Sequence, residues 1–436
     1  MLLSFGCENY KSIREEAHIY ATVSTDDYQE ELLGTCDNYR VLKTLLIYGA
    51  NGSGKSNFVN CIEYVKNLVL TSANNEEGDL VTFPNKLVGD QAPSYFRVHL
   101  AAKNNVRYLF GFIIENQKIV DEFLYAFPNG RKKAIYDRKN NEITPGSKFK
   151  GKFEVVEKSL NSSQLLISVL GKLQVIDDVN ACFNFFKDDI VIYKGNPVFA
   201  QRCTEDSYLL ETLKEIYQDR KFKDGVVEIL NSFDVKIRDI TVEKKLLPPN
   251  NLTMLYAMPY QCNESPDPKE VYNAKLVYND FSTDLFTEES TGIQKLFSFI
   301  YPLIDAIKND KVLICDELEI GFHEKLFYKI IELFSTVVAK NTNAQLITTT
   351  HSTDTLTLKV LRRDQIYFTN FLLDRSTELY PLSSFNGVRK DAAFQRCYLS
   401  GFYAAIPEFQ NYLDERLLSI VNLLKEEKKE DISESV

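Results

Sequence analysis

One eight-residue stretch, Gly49-Ala50-Asn51-Gly52-Ser53-Gly54-Lys55-Ser56, constrains the fold more than any other part of the chain. It fits the G-x-x-x-x-G-K-[ST] phosphate-loop pattern, in which glycines let the backbone turn tightly and aim its N–H groups at phosphate oxygens. The flanks supply the context this loop needs. Lys43–Tyr48 has the pattern of a buried strand, and from Lys55 to Leu70 the residues Phe58, Val59, Ile62, Val65 and Leu68 recur at helical spacing. A strand–loop–helix unit of this kind places an anion at a helix N-terminus. Asn51, Gly52, Ser53, Gly54, Lys55, Ser56 and Asn57 are therefore the candidate contacts to ATP. Lys55 would reach the β- and γ-phosphates, and the Ser56 hydroxyl would ligate Mg²⁺. The bland alternative, a Gly-rich turn with a chance Lys-Ser, does not account for the strand before and the helix after.

A second apolar strand, Val312–Cys315, ends in Asp316-Glu317. Adjacent strand positions face opposite ways, so the two acids should not share a role. Asp316 is expected to complete the Mg²⁺ shell opposite Ser56. Glu317 is expected to polarise the attacking water as general base, or at least to orient it. Alone, an acidic pair after a strand commonly opens a helix; with a phosphate loop on the same chain, catalysis is the stronger reading. Gln345–Thr349 leads to His351, just past the carboxyl end of another strand, where open α/β sheets bind ligands. His351 would either donate to the γ-phosphate or sense its loss. His323 suits helix capping or packing as well as catalysis, and His18 and His99 lie on predicted strands as structural residues.

The remaining patterns set the organisation. Leu2–Phe5 and His18–Val23 suit short strands, 71–93 a loop, and Tyr95–Tyr136 an antiparallel meander of period two. Residues 161–232 have helical patterning, notably Leu165–Leu173 and Leu209–Leu230. The proline-rich Lys244–Pro268 marks a boundary or exposed loop, and Val271–Tyr278 a further strand. The last third alternates: a helix from Thr291, a strand at Val312–Cys315, a helix at Lys325–Val338, a strand at Gln345–Thr349, a helix at Thr353–Leu361 and a strand at Gln365–Thr369. Such alternation predicts a parallel sheet with helices on its faces. The expected division is an N-terminal lobe with phosphate loop and meander (1–160), a helical insertion (161–250), a C-terminal lobe (251–424) and a charged tail (425–436).

Composition narrows the class of function. With 44% hydrophobic and 26% charged residues the chain is globular, and its net charge of −10 provides no overall field for nucleic acid. Nucleic-acid contact stays possible only through local patches, Arg131–Lys133 and Lys148–Lys152, for which solvation is the stronger reading. Arg362 and Arg363, with Arg389-Lys390 beyond, suit a charged helix end facing solvent, against nucleotide contact or partner docking. The cysteines form no CxxC pair, as expected of reduced thiols. The charged start and the lack of a long apolar window predict a cytoplasmic protein without membrane contact; the greasiest run, Lys295–Ile307, is short and carries Asp305.

The order of these pieces resembles the ABC-class ATPase heads of the SMC, RecF and OLD lineage, and more closely the AAA-type ATP-binding proteins of the AbiL/RloA kind found in bacterial anti-phage systems. The resemblance spans nearly the whole chain. It is carried by Phe5–Ser12 (FGCENYKS), the phosphate loop, Glu288-Glu289-Ser290-Thr291-Gly292-Ile293-Gln294, the acidic strand, His351, Leu361–Phe368 (LRRDQIYF) and Tyr398–Pro407 (YLSGFYAAIP). It implies an α/β fold: an ABC-type P-loop ATPase head with a mixed or parallel core sheet, an antiparallel β-meander subdomain and a helical insertion.

It also implies that Ser290, Gly292 and Gln294 stand for a degenerate ABC signature that closes over ATP held by a second subunit, giving a homodimer or higher homo-oligomer. The signature lacks the transporters' double glycine. Glu319–His323 shows no Asp where a D-loop would fall, Glu324 replaces a proline, and Ala404 stands where glycine is expected. Gln164 is a candidate Q-loop residue, with a helix-surface glutamine the stronger reading. The short stretch after Pro407 has no room for the Toprim nuclease of OLD-type proteins, so a separate effector, a Toprim-like or RloB-like nuclease or toxin, is expected. The implied role is an ATP-hydrolysing switch in an anti-phage (abortive infection) system; the alternative is a RecF- or SMC-like repair ATPase that clamps DNA.

Overall fold

The computed structural model describes residues 1–25, 32–89, 92–149, 151, 153–157, 159–195, 208–247, 269–357, 359, 361–388, 392–406 and 416–421. The chain opens with β1 (Leu2–Glu8) and β2 (Ala17–Tyr20), followed by a ribbon of β3 (Gly34–Cys36) and β4 (Tyr39–Val41). Next come β5 (Thr44–Gly49) and the Lys55 helix (Lys55–Thr71). The meander is β6 (Ser94–Ala101), β7 (Arg107–Glu115), β8 (Lys118–Phe127), β9 (Lys133–Lys139) and β10 (Glu142–Pro145). Helices Leu166–Leu173 and Asp177–Asn184 lead to β11 (Ile190–Lys194). Helices Tyr208–Gln218 and Arg220–Ser232 precede a second ribbon, β12 (Asp239–Leu247), β13 (Lys269–Val277) and β14 (Ser282–Asp284). The Thr291 helix (Thr291–Lys308), β15 (Val312–Asp316), the Glu324 helix (Glu324–Leu333), β16 (Gln345–Thr350), β17 (Ile366–Phe371) and β18 (Thr377–Pro381) complete the core.

Two large sheets result. The core sheet runs β11-β15-β16-β5-β17-β18, parallel throughout except for β18. The other is wholly antiparallel, β10-β9-β8-β7-β6-β1-β2. Strand alternation explains how the layers stack. Leu45, Ile47, Ile314, Ile347 and Tyr367 face the layer of the Lys55 helix and the antiparallel sheet. Their neighbours Leu46, Tyr48, Leu313, Cys315, Leu346 and Phe368 face the opposite layer, with Phe299 of the Thr291 helix and Phe327 of the Glu324 helix. Covering both faces is what a parallel sheet requires. A third cluster joins Leu209, Leu213, Val226 and Leu230 of the inserted helices to Leu296, Phe297 and Ile300 of the Thr291 helix. The molecule is thus an α/β protein with a mixed core sheet, a β-meander and a helical insertion.

Several expectations need correction. Residues 190–194, within the stretch expected to be helical, form the edge strand β11, paired in parallel with β15. Within Thr353–Leu361, where an α-helix is expected, Thr353–Thr357 forms a 3-10 turn. Arg362 is not on a solvated helix end. It is 3% exposed, ion-paired to Asp364 at 3.1 Å, and donates to the Thr25 carbonyl at 2.8 Å; Arg363 donates to the Val388 carbonyl at 2.7 Å. Lys133 of the basic patch pairs with Asp178 at 2.8 Å. Gln164 donates to the Ala73 and Asn75 carbonyls, past the far end of the Lys55 helix. Seventeen residues of helix put that end about 25 Å from the phosphate loop, which rules out a γ-phosphate contact. Arg389-Lys390, Pro407, Lys152, the greater part of Lys244–Pro268 and the tail 425–436 lie outside the described residues. Among the described residues, no helix is long and apolar enough to cross a membrane.

Candidate active site

Gly49 ends β5, and the loop that follows is held from below by a chain of hydroxyls. Ser53 Oγ and Thr369 Oγ1 are 2.6 Å apart, and Thr377 Oγ1 donates to the Ser53 carbonyl at 3.0 Å. Thr377 Oγ1 also lies 2.7 Å from Ser12 Oγ, which accepts from Asn57 Nδ2 at 2.7 Å. Gly54 shows why this loop needs glycine. Its φ is +100°, and a Cβ there would lie 2.0 Å from Thr377 Oγ1. Asn57, expected at the nucleotide, therefore braces the loop from its helix side, and Ser12 explains why the Phe5–Ser12 segment matters.

Lys55 is only 3% exposed. Its ammonium donates to the Gly49 carbonyl at 2.9 Å and the Ala50 carbonyl at 3.1 Å, and approaches His351 Nδ1 at 3.5 Å. Burial lowers its pKa to about 8, against the opposing pull of Glu317, Glu319 and Asp316. Ser56 Oγ donates to Asp316 Oδ1 at 3.1 Å, joining the start of the Lys55 helix to the tip of β15. Thr349 Oγ1, from β16 between β15 and β5, donates to the same oxygen at 2.7 Å and accepts from the Glu317 amide at 2.8 Å.

Glu317 has φ +50°, in the left-handed region that a non-glycine residue enters at a cost of order 1–3 kcal/mol. The turn directs its carboxylate at His351: Glu317 Oε1 and His351 Nε2 are 3.3 Å apart. The imidazole thus bridges Lys55 and Glu317. His323, by contrast, caps the Glu324 helix, its Nδ1 accepting from the Lys325 amide at 3.2 Å.

Three participants escaped the sequence reading. Glu319 accepts the His351 amide at 2.5 Å through Oε1, while its Oε2 is buried with no hydrogen-bond partner. It sits where an Asp was sought, and only its spacing from Glu317 hinted at it. Lys295 reaches back from the Thr291 helix to the Glu317 carbonyl at 3.5 Å, the Leu318 carbonyl at 3.0 Å and the Ile320 carbonyl. Burial brings its pKa to about 8. A lysine inside an amphipathic helix carries no sequence mark of such a clamp. In sequence, Thr349, the bridge between Asp316 and Glu317, is marked only as a strand residue.

Ser290 caps the Thr291 helix, its Oγ accepting from the Ile293 amide at 3.3 Å, and is exposed. Gly292 lies where a Cβ would come within 2.9 Å of the Gly321 carbonyl oxygen. Gln294 turns inward, donating to the Phe286 carbonyl at 3.2 Å and the Glu289 carbonyl at 3.1 Å. Among the described residues, no hydrogen bond ties Ser290 or Gln294 to the Lys55 loop. The structure therefore brings together Lys55, Ser56, Asp316, Glu317 and His351, and leaves Ser290, Gly292 and Gln294 as a group beyond the Glu317–Gly321 turn.

Residues 45–357 match the family described as "AAA domain, putative AbiEii toxin, Type IV TA system". No curated protein matches the chain. Among solved structures it is similar to the SMC head bound to the C-winged helix domain of ScpA, at 11% identity and TM-score 0.40, over 87% of this chain and 97% of that one. The SMC head domain from Thermotoga maritima aligns at 11% identity and TM-score 0.35, over 87% and 98%. The recombination mediator protein RecF-ATPrS of the RecFOR pathway aligns at 13% identity and TM-score 0.37, over 87% and 98%. These structural likenesses are too low to carry weight beside the family match. That match extends from β5 through Asp316 to the turn after His351, and the chain belongs to this AAA family, with the phosphate loop of a P-loop NTPase.

Proposed function

We propose that the chain is an ATP-hydrolysing switch that closes as a homodimer on Mg²⁺-ATP and controls a separate effector protein in a bacterial anti-phage system. The observation that carries the reading is the convergence of Ser56, at the start of the Lys55 helix, with Asp316, Glu317 and His351 from adjoining strand ends. Ser56 and Asp316 offer one hydroxyl and one carboxylate oxygen, a hard-oxygen pair that suits Mg²⁺, which takes few protein ligands and shares the rest with water and phosphate. Mg²⁺ bound there would neutralise charge on the β- and γ-phosphates. Lys55 already presents its ammonium at the loop, held on the two carbonyls that phosphate oxygens would relieve. Glu317 orients and deprotonates the attacking water, and His351 fixes the Glu317 carboxylate while facing the γ-phosphate position.

The dimer reading is supported by the exposure of Ser290 and Thr291, a Ser-capped helix start open to a second subunit. Gln294 would act within that group by holding the turn before it. The effector reading rests on the resemblance to AbiL/RloA-type systems, and the family's description names a putative toxin of a type IV TA system.

Glu317→Gln tests the reading. ATP binding should persist while turnover falls at least about a hundredfold, as expected on removing a general base. Light scattering should show a dimer that persists with ATP. Turnover at the wild-type rate removes Glu317 from its role; a monomer at saturating ATP removes the closing switch.

A further inference from the structure

The groups that handle the terminal phosphate all lie on one side of the loop strand β5. Asp316 and Glu317 end β15, and His351 follows β16, in the order β15-β16-β5-β17-β18. A triphosphate lying along the loop with its γ-end at these groups would extend its nucleoside away from them, on the β17 side. There the structure has an aromatic ledge. Thr369 of β17 pairs with Gly49, and its side chain meets Ser53 of the loop. Phe371 lies two residues on, so its side chain projects from the same face of the strand. The Phe371 ring edge comes 3.5 Å from where a Cβ of Gly52 would stand, at the crown of the loop, and the residue is 40% exposed.

The ledge is held stiffly. Leu372 donates its amide to the Ser376 carbonyl at 2.9 Å, closing the β17–β18 hairpin. Asp374 accepts from the Ser376 amide at 2.8 Å and pairs with Arg14 at 3.0 Å, tying the hairpin to the turn after β1. Leu372 is half-exposed, and Leu373 at the tip is fully exposed. An exposed aromatic on a braced hairpin, beside a phosphate cradle and opposite the metal side, has the properties of a base-stacking surface.

We infer that Phe371 stacks on the purine base of the bound nucleotide and makes the site selective for a nucleoside triphosphate over the bare triphosphate chain. This rests on the phosphate-loop reading and adds to it the base subsite.

The protein contains no tryptophan, so Phe371→Trp is a single fluorescent reporter. ATP should quench and shift its emission, whereas inorganic tripolyphosphate, which lacks a base, should not. In parallel, Phe371→Ala should weaken ATP binding about tenfold while tripolyphosphate binds as to wild type. Phe371→Tyr should keep wild-type ATP affinity. Equal ATP affinity for Phe371→Ala and wild type, or a tryptophan at 371 indifferent to saturating ATP, overturns the assignment. Lys55→Ala serves as the separate control. If it still binds both ATP and tripolyphosphate as wild type does, the phosphate-loop reading itself fails, an outcome distinct from a failed base subsite.

Discussion

Glu122 and Arg138, facing each other across β8 and β9, are both wholly buried, and nearly every polar atom they own is occupied. Glu122 accepts from Tyr136 at 2.8 Å, Leu166 N at 2.7 Å, Ile167 N at 2.9 Å and Arg138 at 3.3 Å. Arg138 also donates to the carbonyls of Asn140, Gln164 and Asn161. At the phosphate loop the charges are equally crowded but unfinished. Lys55 rests on two carbonyls, Glu319 keeps a buried oxygen without a donor, and Glu317 sits at a costly φ. Buried charge that is fully hydrogen-bonded fixes a structure; a buried polar atom left without a partner costs free energy that the rest of the fold must offset. The first network binds the meander to the Leu166 helix; in the second, the Lys55 ammonium is the group that phosphate oxygens would engage.

Arg138→Met should break this contrast with the largest effect. It strands the Glu122 carboxylate, at a cost of about 3–5 kcal/mol in a urea melt, while the folded fraction still binds ATP. A loss below about 1 kcal/mol would mean the network adds little to the fold.

Lys55→Met should do the reverse. ATP binding falls by about two orders of magnitude, yet stability at pH 7 rises by on the order of 1 kcal/mol. The sign follows from linkage: a lysine lowered from 10.5 to about 8 by folding is penalised while charged, a penalty present below pH 8 and relieved as the pH climbs toward the unfolded value. A marked drop in melting temperature would make Lys55 a structural residue and erase the difference between the two networks.

The smallest effect sharpens the comparison. Phosphate should raise the Lys55 pKa from about 8, so ATP binding takes up protons near pH 8.5 and weakens severalfold by about pH 9.5. Calorimetry in two buffers of different ionisation heat reads the uptake directly; no uptake would mean that phosphate does not reach the ammonium.

The core was legible because its strands announce themselves. Leu45–Tyr48, Val312–Cys315 and Gln345–Thr349 are buried on both faces and bounded by polar turns, so pattern alone places Lys55 and Ser56 after one strand and Asp316 and His351 at the ends of the others. β11 was not legible: the π-turn Phe185–Asp189 runs into Ile190 with no glycine or proline between. Arg362 defies local reading because its burial depends on Thr25, distant in sequence, as well as on the neighbouring Asp364, and distant packing leaves no local trace. Glu319 and Lys295 act through the backbone of other residues, the His351 amide and the turn carbonyls, a role no residue spacing encodes.

The position of β11 bears on how this protein could be cut down. Residues 161–250 resemble a detachable module, yet they supply the strand that hydrogen-bonds along the whole of Val312–Asp316. Excising them would leave the acidic strand as a naked sheet margin, open to pairing with other copies. No minimal engine can be trimmed from this chain without carrying Ile190–Lys194 along.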